Sequence, residues 1–133
     1  MNLVKQAQSA KEVSVKLAVL PTKIKNKALL EIADSIRKNS KLIINANKRD
    51  LEEAKIAKLN EVLVDRLLID EHKIHEIVQE IKDVAKLEDP VGKVLSQVEL
   101  DKGLMIYQVT CPIGVIGAIF ESRPDVVSQI SAL

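Results

Sequence analysis

A carboxylate, a hydroxyl and a guanidinium stand side by side at Glu121-Ser122-Arg123, with Pro124 closing the group. They follow a continuously apolar run from Ile113 to Phe120, which reads as a strand covered on both faces. The carboxyl end of such a strand is where α/β proteins bind ligands, and the start of the next helix can receive an anion. Arg123 in that position can bind a carboxylate or a phosphate. The loop Glu121, Ser122, Arg123 and Pro124 is therefore the candidate for a substrate- or cofactor-cleft loop. A plainer reading stays open beside it, in which Glu121 and Arg123 form a surface ion pair and Ser122 caps the helix.

Other reactive residue types carry less. Cys111 is the only thiol, but Thr110 and Pro112 beside it supply no electropositive neighbourhood, so it reads as an inert core or edge residue. His72 and His75 are close enough to share a metal, yet they project among Glu71, Lys73, Glu76 and Gln79 without a third ligand, which reads as a solvated face. Gly114 and Gly117 have the wrong spacing for a dinucleotide fingerprint and are expected to permit close backbone packing. Asn47 and Asp50 are expected to satisfy backbone groups where helices meet. No residue is assigned a catalytic role, and no metal site is expected.

The elements that must position these residues fall into three stretches. Residues 1–88 are helical. A first helix runs to about Leu20, where Pro21 stops it, with Ala10, Val13, Leu17 and Leu20 on one stripe. A second begins after Thr22, whose hydroxyl can cap it, and carries Ile24, Ala28, Leu29, Ile32, Ala33 and Ile36 on one face. A third spans about Ser40 to Lys58, with Ile43, Ala46, Leu51, Ala54 and Ala57 turning inward. Asn60 caps a short piece through Leu68. Asp70 caps a helix to about Leu87 with the cleanest stripe: Ile74, Ile77, Val78, Ile81, Val84 and Ala85. Residues 93–111 read as a hairpin turning at Asp101-Lys102-Gly103. Residues 113–133 read as strand, loop and helix, the opening of a parallel α/β unit. Because a buried parallel strand needs neighbours, the chain is expected to be part of something larger.

Composition excludes several classes. Twenty Lys+Arg against nineteen Asp+Glu and 2% aromatic residues offer neither a basic field nor stacking platforms for nucleic acid. The longest apolar run falls far short of the roughly 20 residues of a membrane span. A single cysteine and no signal-like start fit a cytoplasmic setting.

Three groups of motifs, read in order, resemble one family. They are Lys25-Asn26-Lys27-Ala28-Leu29-Leu30 with Ile32-Ala33-Asp34; then Ala46-Asn47-Lys48-Arg49-Asp50-Leu51, Asp65-Arg66-Leu67-Leu68 and Asp89-Pro90-Val91-Gly92; and finally Pro112-Ile113-Gly114-Val115-Ile116-Gly117 with Phe120-Glu121-Ser122-Arg123-Pro124-Asp125. Together they resemble gamma-glutamyl phosphate reductase, of the aldehyde dehydrogenase superfamily. The resemblance implies an incomplete α/β fold: an amino-terminal helical layer, a β-hairpin of the oligomerisation type, and the first βα step of a Rossmann-like cofactor domain. It implies NADPH-dependent reduction of L-glutamate 5-phosphate to glutamate 5-semialdehyde, with a nucleophilic cysteine lying beyond the end of this chain. By itself the chain is expected to be inactive, and the parent is expected to form homo-oligomers through the hairpin. In the resemblance Ser122 takes the place of an oxyanion-binding asparagine found in many aldehyde dehydrogenases. Two rival readings remain: another acyl-reducing aldehyde dehydrogenase, and a non-catalytic helical interaction module using the hairpin to add strands to a partner sheet.

Overall fold

A computed structural model describes residues 2–133, which divide into two compact units. One comprises the residues up to Thr22 together with Glu88–Gly117; the other comprises Lys23–Leu87 and Ala118–Leu133.

The second unit holds the core. Its helices are α2 (Thr22–Lys38, whose first residue lies in the other unit), α3 (Ser40–Ile56), α4 (Glu61–Leu67), α5 (Glu71–Val84) and α6 (Val126–Ala132). Helix α5 is the centrepiece. Its cap Asp70 accepts a hydrogen bond from the Lys73 amide at 2.7 Å, and Ile74, Ile77, Val78 and Ile81 are all buried. They close with Ala33 and Ile69 into one apolar cluster, against which Leu29, Ile36, Ile43, Ile44 and Ala132 pack. Burying one such isoleucine contributes about 2 kcal/mol, so this stripe dominates the stability of the unit.

Local signals set the helix ends. The side chain of Asn60 accepts from the Val62 amide at 2.9 Å and starts α4. Helix α3 stops two residues before the expected end, because Lys58 enters the left-handed region at φ 53°. The Lys58 and Leu59 amides then bond back to the Lys55 and Ala54 carbonyls at 3.0 Å, satisfying groups the helix would otherwise leave open. Asn47 is buried and joins two elements as expected: its amide nitrogen donates to the Leu67 carbonyl and its oxygen accepts from the Ile69 amide, both at 2.7 Å. Asp50, by contrast, is exposed, as are Ala46 and Ala57; Ile44 turns inward instead.

In the first unit, α1 (Leu3–Leu17) begins at Asn2, whose side chain accepts from the Lys5 amide. It ends at Leu17, short of the expected Leu20, and none of its residues is buried. The Thr22 hydroxyl donates to Asp89 at 2.9 Å. The hairpin pairs β1 (Val94–Asp101) with β2 (Leu104–Val109) antiparallel, Val98 opposite Ile106, and every residue of both strands is exposed. Gly103 at φ +81° makes the turn, its amide bonded to Glu99 at 2.9 Å. At the base, the Gly92 amide bonds to the Thr110 carbonyl, the Thr110 amide to the Lys93 carbonyl, and the Thr110 hydroxyl to the Pro90 carbonyl.

The strand expected over Ile113–Phe120 is not formed; among the described residues the only sheet is the two-stranded hairpin. A strand exists only through a partner's ladder, and no described strand lies beside this run. Ile113 (89%), Ile116 (68%) and Ile119 (fully) stay exposed. The glycines do not serve close packing either: an added Cβ at Gly114 or Gly117 would meet nothing within 4 Å. Gly114 instead sits at φ +111°, which a regular strand does not contain. Cys111 is exposed, not a core residue.

Candidate functional site

The polar group nearest to a site in this structure is built from three elements of the second unit. The end of α4 brings Asp65 and Arg66, the start of α5 brings Asp70 and Lys73, and the loop before α6 brings Arg123 and Asp125. Together with Leu68 and His72 these residues line an open concavity of about 550 Å³. That lies within the range of small-molecule sites, roughly 300–1,000 Å³.

The loop gains its direction from Ser122, which sits in the left-handed region at φ 51°. A non-glycine residue there is uncommon and marks a fixed turn. Ser122 is not the residue before α6; that place is Asp125, whose side chain makes no capping hydrogen bond. Asp125 is buried, its side chain 8% exposed, and one of its oxygens, Oδ2, lies 3.6 Å from Lys73 Nζ and 3.7 Å from Arg123 Nη2. Its other oxygen, Oδ1, is buried with no hydrogen-bond partner. Lys73 also donates to Glu76 at 3.2 Å; this hydrogen bond is the main reason its ammonium is held above the ordinary lysine range, with the attraction of Glu76 and Asp125 adding to it.

The structure separates the four loop residues read from the sequence. Glu121 is exposed, and Arg123 makes its ion pair with Asp125, not with Glu121. Arg123 lines the polar concavity, whereas Pro124 lines a separate apolar groove of about 310 Å³ with Leu29, Ile36, Ile74 and Val127. Arg66, Lys73 and Asp125 carry no mark in the sequence that assigns them to a site. Arg66 and Asp125 do lie within the family-like motifs, but Lys73 is a polar position on an amphipathic helix, and nothing local marks it. His72 is 81% exposed with Nδ1 3.7 Å from Glu76 Oε1, and His75 is exposed as well. Among the described residues no cluster of His, Cys, Asp and Glu could hold a metal ion. None of the described helices is long and apolar enough to cross a membrane.

With this architecture the chain matches part of the fold of solved enzymes about three times its length. The proteins it resembles are gamma-glutamyl phosphate reductases, and the similarity runs along the whole of this chain. It is 49% identical to the gamma-glutamyl phosphate reductase of Brachyspira hyodysenteriae over 137 aligned positions, covering 100% of this chain and 32% of the relative. With that of Acetivibrio thermocellus the identity is 50%, covering 100% and 31%. Of solved structures, the reductase from Thermotoga maritima superposes with a TM-score of 0.96 at 37% identity, covering 100% of this chain and 32% of that one. The Saccharomyces cerevisiae enzyme gives 0.91 at 44%, covering 95% and 32%. The chain thus spans about a third of the length of the relatives it matches. No family model matches it.

Proposed function

We propose that this chain is the amino-terminal part of an enzyme that reduces L-glutamate 5-phosphate to L-glutamate 5-semialdehyde with NADPH, releasing phosphate, in proline biosynthesis in the cytoplasm. The observation that carries the reading is identity of about one half with gamma-glutamyl phosphate reductases along the entire chain. In this reaction a thiolate outside the chain attacks the acyl phosphate carbonyl, phosphate leaves, and a thioester is formed. When bound, NADPH would supply the hydride that takes the acyl group to the aldehyde level, releasing the thiolate. The residues present do not themselves make a dinucleotide cradle: Gly114 and Gly117 lack the fingerprint spacing, and the run that contains them is not a strand.

The part this chain plays is to bind and position. The loop Glu121–Pro124 faces the substrate cleft in this reading, with Arg123 bringing a fixed positive charge to an anionic substrate. The hairpin mediates homo-oligomerisation; its wholly exposed strands, with Val98, Leu100, Ile106 and Tyr107 open to solvent, support that role. The 133-residue chain alone is inactive. The test uses the complete gene product in which this segment lies, with NADPH oxidation measured against L-glutamate 5-phosphate, and phosphate-dependent NADP+ reduction measured with the semialdehyde. Turnover in both directions is expected. Its absence in a folded preparation, or turnover by the 133-residue chain alone, would overturn the corresponding part.

A further inference from the structure

Asp125 follows Pro124 at the start of α6, where an aspartate would ordinarily cap free backbone amides. Its side chain makes no such bond. It is buried instead, with Oδ2 at 3.6 Å from Lys73 Nζ and 3.7 Å from Arg123 Nη2. These two cations come from different elements, one from the first turn of α5 and one from the loop. They repel each other, and a shared anion offsets that repulsion. One carboxylate oxygen therefore ties the guanidinium of the loop to α5.

The anchored end of this tie is fixed. Val126 is buried, and Gln129 Nε2 on α6 donates to Glu80 Oε2 on α5 at 3.0 Å. Lys73 is held as well by Glu76 Oε2 at 3.2 Å. The loop is stiff along its backbone: the Arg123 carbonyl accepts from the Val126 amide at 3.2 Å. Pro124 fixes its own φ and narrows the choice of conformation at Arg123. What the backbone leaves free is the Arg123 side chain, which is half exposed, long and rich in rotamers. Asp125 is the carboxylate that restrains it.

Stability does not account for this carboxylate. Oδ1 is buried with no hydrogen-bond partner, and both contacts of Oδ2 are longer than a good hydrogen bond. A charge buried on such terms costs more than its pairs return. We propose that Asp125 is a positioning residue, which holds the Arg123 guanidinium in the direction from which it meets the anionic substrate. This role rests on the reading that the loop Glu121–Pro124 faces the substrate cleft, and the measurements below fail differently for the two.

Three variants of the complete gene product decide it: Asp125→Asn, Arg123→Gln and the two combined. Asp125→Asn keeps the shape and removes the charge, and the cations it leaves are partly solvated, so Tm should stay within about 3 °C of the parent. Modification of Arg123 by phenylglyoxal, followed by peptide mass spectrometry, should be about threefold faster in Asp125→Asn, with that of the exposed Arg49 unchanged. In the reverse reaction, Arg123→Gln should raise KM for either phosphate or the semialdehyde at least about tenfold. Asp125→Asn should raise that same KM about threefold and leave the other KM and kcat within about twofold. Combined with Arg123→Gln it should add nothing further, because it acts through Arg123. Effects that multiply, a rise in the other KM, an unchanged modification rate, or a larger loss of Tm would overturn the proposal. Arg123→Gln with both KM values unchanged would instead sink the cleft reading and the role built on it, while the modification rate still shows whether Asp125 holds Arg123.

Discussion

The unit around α5 and the unit that carries the hairpin are made from the same kinds of side chain, used to opposite ends. Ile77 and Ile81 in α5 are 4% and 1% exposed, whereas Ile106 and Val98 in the hairpin are 50% and 54% exposed. In the first region the apolar positions recur at helical spacing on segments long enough to meet one another, so the sequence closes its own core. In the second, alternation makes a ribbon with two faces, and neither face finds a cover within the unit. The lesson is that hydrophobic patterning specifies a surface, while burial is decided by whether the same unit supplies a second surface to receive it.

That contrast can be broken by substitution. Ile81→Ala should cost the most, about 3 kcal/mol by chemical denaturation, because it opens a cavity in the buried apolar cluster around α5. A loss below about 1 kcal/mol would mean that the cluster is not what holds the unit. Asn47→Ala comes next at about 2 kcal/mol, since it strands the buried Ile69 amide and the Leu67 carbonyl together. Asp70→Ala, which removes the cap of α5, should cost about 1 kcal/mol. At the other end of the scale, Ile106→Ala in the hairpin should stay within about 0.5 kcal/mol in the monomeric chain. A cost like that of Ile81→Ala would show that the hairpin is covered in solution.

The smallest effect sharpens the comparison on the surface. Asp34 hydrogen bonds with Lys38 and, through a second pair, with Arg37, both at 2.6 Å, and these contacts hold its carboxyl down to about 2 from 3.8. Since the folded value lies below the unfolded one, any contribution is complete above pH 3.8 and lost as pH falls through about 2. An NMR titration should place the Asp34 midpoint near 2, and Asp34→Asn should leave stability at neutral pH nearly unchanged. A midpoint near the ordinary 3.8 would show that the pairs do not persist in solution.

The parts of this fold legible in the sequence are those specified by neighbours in the chain. The caps at Asn60 and Asp70, the α5 stripe and the Gly103 turn each depend on residues within four or five positions. The bridging role of Asn47 was legible too, because a polar residue on an inward face must bond to something. What escaped was non-local. Eight apolar residues from Ile113 to Phe120 have the composition of a covered strand, but composition does not supply the partner that makes the ladder. The site suffered the same limit: Arg123 was visible in its loop, whereas Lys73, the second cation beside Asp125, lies on another element and carries no local mark.

The two hydrogen bonds of Asn47 also govern how the molecule opens. A helix of seven residues such as α4 does not persist alone in water, given the cost of nucleating a turn. With its outgoing chain latched to α3, α4 cannot come away without exposing the Ile69 amide, so its fluctuations are tied to those of its neighbour. The slowest-exchanging amide at this junction should be Ile69, and its exchange rate reads the free energy of undoing the latch.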